Sequence, residues 1–399
     1  MPIVHCNGQL CTLSWIIRRG VVPMHNIMKI FGLTYGSTCP LITKIGTRHK
    51  IERAYTVGVA LLILVSVIRL LPCLFNSNTP YPSFLKYEYF LWTVKSAIQA
   101  FYCIFIGHRY GRKISRLQEL VHEYDKQIER YMDTADQKLN RRYLKISRLI
   151  LFFLLATAII KITMFIVVSF LPFFEDHYSV TATYEPFTNP CIPIKLLYII
   201  GYTYLIVAWL LPVNLYCALC LSLCLIFDQF LTSVKAIHCN KIRSRIKYIR
   251  EEYQKLEGLV SRTDDCIGFM ALCVYLLDVV LCCFHLYNVF YISKGHSINK
   301  LGPAYRAFIS VGNLFFISFC ASKVVDKGQR ISEYVATMSA DEVDLESHAQ
   351  LVMLLHEISI HPISLTIWKL VPLYKSIVIS VFVSLITYFT LLIQFKAGG

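Results

Sequence analysis

Charged residues are scarce in this 399-residue chain: Asp, Glu, Lys and Arg make up 16% of it, against 56% hydrophobic residues. Soluble domains carry about 25% charged residues, so a water-soluble globular protein is excluded. Disorder is excluded as well, because disordered chains are poor in apolar residues and the mean hydropathy here is +0.53. Acidic residues are the rarer sign, 25 against 40 Lys and Arg, for a net charge of +15. The basic residues lie between apolar runs, which reads as a membrane-topology signal and not as a nucleic-acid footprint. Also missing are a phosphate-binding loop, a Rossmann glycine pattern and a nucleophile elbow. No secretory leader is expected: the N-terminal stretch has scattered apolar residues interrupted by Arg18 and Arg19. The 15 cysteines fall mostly inside apolar runs, where they read as small buried hydrophobes.

Long apolar runs are what the chain has instead. A bilayer-spanning helix needs about 20 mostly apolar residues. Seven stretches qualify, at 54–75, 85–107, 149–174, 195–227, 267–292, 304–324 and 373–396. The expected class is therefore all-α, a polytopic membrane protein with seven transmembrane helices. The fourth run is longer than a bilayer requires and is expected to continue as a helix beyond it. Lys and Arg set the orientation. The connections 1–53, 108–148, 228–266 and 323–375 together hold 31 basic residues, and the alternating set holds 6. Positive-inside then puts the N-terminus in the cytosol and the C-terminus outside. The expected organisation is a cytosolic segment 1–53, helices one to four over 54–227 with the link 108–148, and a cytosolic segment 228–266. Helices five and six over 267–324, a cytosolic segment 325–372 and the last helix within 373–399 complete it. The outer loops carry no glycosylation acceptor, and a Cys73–Cys191 disulfide across them is open but not favoured.

Two cytosolic stretches, RKISRLQELVHEYDKQIERYMD and KIRSRIKYIREEYQKLEGLVSRTDD, space apolar residues at helical intervals among mixed charges. They read either as solvated extensions of the spans or as an intracellular packing module.

The last span carries a polar stripe. Ser376, Ser380, Ser384, Thr387, Leu391 and Gln394 are spaced 4, 4, 3, 4 and 3 apart. At about 100° per residue they fall within about 80° of one another. Polar groups facing lipid are costly, so the stripe faces protein or water. Helix–helix hydrogen bonding and the wall of a pore both fit; a pore needs several copies around an axis.

Within the spans, Lys95, Lys161 and Asp278 are charges near mid-membrane, where an ionisable group is expensive. Asp278 and His285 share a helical face. Either a buried structural pair, Asp278 with Lys95 or Lys161, or a ligand role accounts for them. Aromatics gather towards the outer ends: Tyr89, Trp92, Tyr198, Tyr202, Trp209, Phe284, Tyr287, Tyr291 and Tyr305, some beside Asn288, Ser310 and Asn313. Interfacial belts explain the outermost of them. An outward-opening cavity for a small organic ligand explains the deeper ones. Catalytic and metal motifs are poor. His356 and His361 are five apart with Pro362 next, and Cys217, Cys220 and Cys224 lie in the middle of a span. Neither an enzyme activity nor a cofactor or metal is expected.

Thr387-Tyr388-Phe389-Thr390-Leu391-Leu392-Ile393-Gln394-Phe395 reads as TY, five mostly hydrophobic residues and QF. This resembles the last-span signature of insect gustatory receptors, and MHNIMKIFGL before the first span resembles their N-terminal stretch. The resemblance implies a ligand-gated, non-selective cation channel of the plasma membrane of sensory neurons, related in fold to insect odorant receptors. It implies a homotetramer, or a heterotetramer with related subunits, around a pore lined by the seventh helix. The pore residues would be Ser380, Ser384, Thr387, Leu391, Gln394 and Phe395, with the last two at the outer gate. Segments 228–266 and 325–372 would build a cytosolic anchor. A small-molecule tastant would bind in the outer half, with Trp92, Lys95, Tyr198, Tyr202, Trp209, Asp278, His285, Asn288, Tyr291 and Asn313 as its expected contacts. Sugar-receptor members tend to carry an acidic residue after the TY pair. Phe389 stands there instead, which points to a bitter or other plant compound. The competing classes are a seven-span G-protein-coupled receptor, for which His108-Arg109-Tyr110 follows the wrong span, and a secondary transporter using the midplane charges.

Overall fold

The computed structural model describes residues 5–6, 9–10, 24, 26–33, 47–75, 83–107, 116–130, 137–170, 191–235, 246–292, 298–337, 345–360 and 363–397. The described residues are nearly all helical. The helices are α1 Thr47–Ile68, α2 Leu70–Phe75, α3 Ser83–Gly107, α4 Arg116–Arg130 and α5 Gln137–Phe170. They continue as α6 Ile192–Lys235, α7 Ile246–Tyr287, α8 Ile298–Ala336, α9 Leu345–Ile360 and α10 Lys375–Ala397. A π-helical turn, Asn288–Ile292, ends α7. Two small hairpins complete the described elements, β1 His5–Cys6 with β2 Gln9–Leu10, and β3 Thr366–Ile367 with β4 Val371–Pro372.

Six of the helices, α1, α3, α5, α6, α7 and α8, are long and apolar enough to cross a membrane, and α10 contributes a shorter apolar helix at Lys375–Leu391. Their outward faces are hydrophobic. Leu149, Phe152, Ile159, Ile192 and Leu197 are all exposed, which is the pattern of a surface solvated by lipid and not by water. The middle of the bundle is α6. Every residue from Leu205 to Phe227 is buried, so the helix is apolar all round, as a central helix must be. Cys217, Cys220 and Cys224 lie in this stretch, free and buried. At 44 residues and about 1.5 Å per residue, α6 is about 66 Å long, twice the hydrocarbon thickness.

The extension of α6 beyond its apolar run is as expected. α5, α7 and α8 extend as well, by a further 12 to 21 residues at one end; α7 begins at Ile246 where the apolar run begins at 267, so most of the stretch 241–265 is a helical extension of a span, one of the two readings its spacing offered. The first apolar run is broken at Arg69, whose guanidinium lies 4.3 Å from the Tyr198 ring centroid. Residues 171–174 of the third run, the HRY triplet and His361 lie outside the described residues, and so does the side chain of Cys73; Cys191 is a free thiol.

The extensions are packed on one face. Leu117, Leu120, Val121 and Tyr124 of α4 are buried at intervals of three and four, with charge on the other face. The Tyr124 hydroxyl is 2.9 Å from the Thr263 hydroxyl of α7. Arg250 of α7 makes two contacts with Glu357 of α9, at 2.8 and 3.0 Å. Glu357 is the neighbour of His356, so that stretch serves helix packing.

The β3–β4 hairpin leads into α10. Trp368 and Lys369 have φ of 48° and 59° without being glycine, a conformation costing about 1–2 kcal/mol per residue. Two carboxylates on α7 hold it. Asp264 accepts from the Thr366 backbone N–H at 2.7 Å and from its hydroxyl at 2.6 Å. Asp265 accepts from the Lys369 ammonium at 2.5 Å and holds that ammonium above the usual lysine value. Asp264→Ala is expected to lower stability by about 1–3 kcal/mol, since it strands a backbone donor and a hydroxyl. Thermal unfolding of the detergent-solubilised protein checks this, and an unchanged midpoint would show that the turn is held by something else.

Candidate functional site

Four helices present polar residues to one another at one end of the bundle, around the tip of α6. On α3, Glu88, Trp92, Lys95 and Gln99 recur at intervals of 4, 3 and 4, one helical face. On α7 and its π-turn, Asp278, His285 and Asn288 form the facing stripe. Arg306, Ser310 and Asn313 repeat the spacing on α8, and α5 adds Lys161 and Phe165. Almost all of these side chains are buried, so each must find a partner within the bundle.

The ammonium of Lys95 pairs with the Asp278 carboxylate, and both side chains are fully buried. Of the two lysines open as partners for Asp278, the structure therefore selects Lys95. Asn313 donates weakly to the other Asp278 oxygen at 3.5 Å. The second centre is Glu88. It lies 2.8 Å from His285 Nδ1 and 3.1 Å from Arg306 Nε, and it accepts from the Asn288 side-chain amide. A buried carboxylate keeps its charge only with such multiple donors. Lys161 is different. Its ammonium sits 3.8 Å from the Trp209 ring centroid and 5.9 Å from that of Trp92, a cation–π arrangement without a carboxylate partner among the described residues.

The aromatics expected to line an open cavity pack against one another. Trp92 lies between Tyr89, Tyr202 and Trp209 with ring centroids 5.8, 5.5 and 6.2 Å away. Phe165 stacks on Tyr202 at 4.1 Å. Tyr198 sits at the edge of this group, under Arg69. Thus Trp92, Lys95, Tyr202, Trp209, Asp278, His285, Asn288 and Asn313 are brought together with Tyr198 beside them. The side chain of Tyr291, in the π-turn, lies outside the described residues.

Sequence reasoning missed Gln99 and Phe165 inside apolar runs, and it missed the two charged residues Glu88 and Arg306. Both fall close to where an apolar run starts, and a boundary at 304–306 puts Arg306 with an outer connection. Because α8 begins at Ile298 and not at 304, Arg306 is two turns inside a helix. The signal was present in the spacing of Glu88 with Trp92 and Lys95, and of Arg306 with Ser310 and Asn313.

The second constellation is α10. Its buried face carries Val381, Leu385 and Tyr388, packed on the rest of the bundle. About 110° away round the helix lies the polar stripe, and Ser376, Ser380, Ser384, Thr387, Leu391 and Gln394 are all exposed. Among the described residues their hydroxyls bond to their own helix: Ser380 to the Ser376 carbonyl at 3.0 Å, Ser384 to Ser380 at 2.9 Å and Thr387 to Val383 at 2.9 Å. Ile379, Ile386 and Ile393 form a third, exposed apolar ridge. The side chain of Phe395 lies outside the described residues.

A sequence profile described as 7tm chemosensory receptor matches residues 22–397. No curated protein matches the chain. Among solved structures, the chain is similar to the insect olfactory receptor OR5 from Machilis hrabei in complex with eugenol, with a TM-score of 0.71 and 14% identity. That likeness covers 95% of this chain and 97% of the receptor. A second structure of OR5 from the same organism gives a TM-score of 0.71 at 13% identity, over the same shares. At such identity the likeness establishes the fold: a bundle of membrane helices arranged as in that receptor.

Proposed function

The chain belongs to the 7tm chemosensory receptor family, and on that premise we propose that it is a gustatory receptor, a ligand-gated non-selective cation channel of the plasma membrane of sensory neurons. A small organic tastant, a bitter or other plant compound, binds among Trp92, Tyr202, Trp209 and their polar neighbours. Four copies, identical or with related subunits, surround a pore lined by Ser380, Ser384, Thr387, Leu391, Gln394 and Phe395. The segments 228–266 and 325–372 hold the copies together on the cytosolic side.

The exposed polar stripe of α10 carries this reading. No described residue of the same chain covers it, and hydroxyls and an amide facing lipid are costly. Covering them calls for water or another subunit, and a central pore supplies both. Uncharged Gln394 dipoles around that pore suit weak selectivity better than a carboxylate ring. Opening is driven by tighter binding of the tastant to the open state.

An epitope after Gly399 tests the topology first. Stain of intact cells is the expected result, and whole-cell currents then follow, with Gln394→Ala altering the permeability ratio among cations. A tag reached only after permeabilisation, in cells with confirmed surface receptor, would put α10 in the wrong orientation and end the pore reading.

A further inference from the structure

We propose that the ligand of the buried site is an organic acid, its carboxylate held by Lys161 between Trp92 and Trp209. The inference rests on the reading that this end of the bundle binds a small molecule. It comes from the charges at the site. Three basic side chains, Lys95, Lys161 and Arg306, meet two carboxylates, Asp278 and Glu88. Asp278 is engaged by Lys95, and Glu88 by Arg306, His285 and Asn288. Lys161 has no carboxylate within ion-pair distance among the described residues, and its ammonium sits over the two indole rings.

The hydrogen-bond inventory points the same way. The indole N–H groups of Trp92 and Trp209 are buried without an acceptor among the described residues. Indole and ammonium nitrogens only donate. Asn313 Oδ1 and Gln99 Oε1 are unpaired elsewhere in the site, but beside Lys161 the unpartnered groups are the two indole donors, and a carboxylate there supplies them with an acceptor and the ammonium with a negative charge. An amine would meet three cations, and a neutral ligand would leave Lys161 uncompensated in a low-dielectric site. The remainder of the ligand is apolar, because the walls beside Lys161 are the rings of Trp92, Trp209, Tyr202 and Phe165.

Matched pairs separate charge from shape: cinnamate with cinnamamide, and decanoate with decanamide. Binding to the purified full chain at neutral pH is read by tryptophan fluorescence and by thermal shift. At least one carboxylate is expected to bind ten times or more tighter than its amide. Lys161→Met should abolish that preference while folding normally, since it removes a lone buried charge, and Lys161→Arg should keep it. Equal binding of acid and amide, an acid preference that survives Lys161→Met, or no binding by either carboxylate would overturn the proposal. The readout needs no current. A lost acid preference leaves the channel reading standing, and a bound carboxylate that gates no current counts against the channel reading alone.

Discussion

Asp278→Leu is expected to remove most folded receptor from the cell surface, Lys95→Met to remove less, and the double substitution to recover most of the loss. Both residues are fully buried and pair across α3 and α7. Removing one partner strands the other's charge, at a cost of about 3–5 kcal/mol, a large part of what keeps a domain folded. The two single substitutions are not equivalent. Without Lys95, two cations at the site still face Asp278 and Glu88. Without Asp278, Lys95, Lys161 and Arg306 face Glu88 alone, and Asn313 loses its acceptor. The double substitution replaces the pair by apolar groups of similar volume, which is often neutral or stabilising. A double-mutant cycle on surface yield and thermal midpoint measures the coupling. If the two losses simply add, the pair is not what holds these helices together.

How far this site was legible depended on contrast with its surroundings. Asp278 stands in VYLLDVVLCC and shows at once, as Lys161 does in AIIKITMF. Their pairing was not legible, because two lysines lay at similar depth and helical spacing says nothing about neighbours in a bundle. Glu88 and Arg306 were hidden for another reason. Hydropathy reports where side chains meet lipid, whereas the backbone hydrogen bonds that sustain a helix do not stop at that border. The same difference hid the lengths of α5 and α8, whereas the helical spacing of 241–265 left α7 open to extension. Boundaries drawn at the apolar runs put Arg306 in a loop and cut α7 at residue 267, when the helix carries Thr263 and Asp264 as well. The β3–β4 hairpin gave no sequence signal. Its turn holds Trp368 and Lys369 at positive φ, where glycine or asparagine would have marked it, and Asp264 and Asp265 a hundred residues away make it possible. The polar stripe of α10 was fully legible, because it needs only the helix period. Its two explanations part on a tertiary fact, that no described helix of the same chain covers it.

Ser384→Lys and Ile386→Lys, two residues apart on α10, are expected to fail in opposite ways. Both side chains are exposed, but they point about 160° apart round the helix. Ser384 lies in the polar stripe. If that stripe lines a water-filled pore, Ser384→Lys keeps its hydration and the receptor reaches the surface in near-normal amounts. A ring of ammonium groups around a cation path then adds a repulsion of a few kcal/mol per ion, and every 1.4 kcal/mol is about tenfold. Ligand-evoked cation current should fall at least tenfold, and Ser384→Asp should raise it. Ile386 belongs to the apolar ridge with Ile379 and Ile393. A lysine at the centre of a lipid-facing helix costs about 2.5–3.5 kcal/mol of insertion, so Ile386→Lys should deplete surface receptor. Surface biotinylation and whole-cell recording on the same cells separate the two effects. Loss of surface receptor with Ser384→Lys as severe as with Ile386→Lys would mean that the stripe meets lipid or a packed subunit, and that the permeation path lies elsewhere.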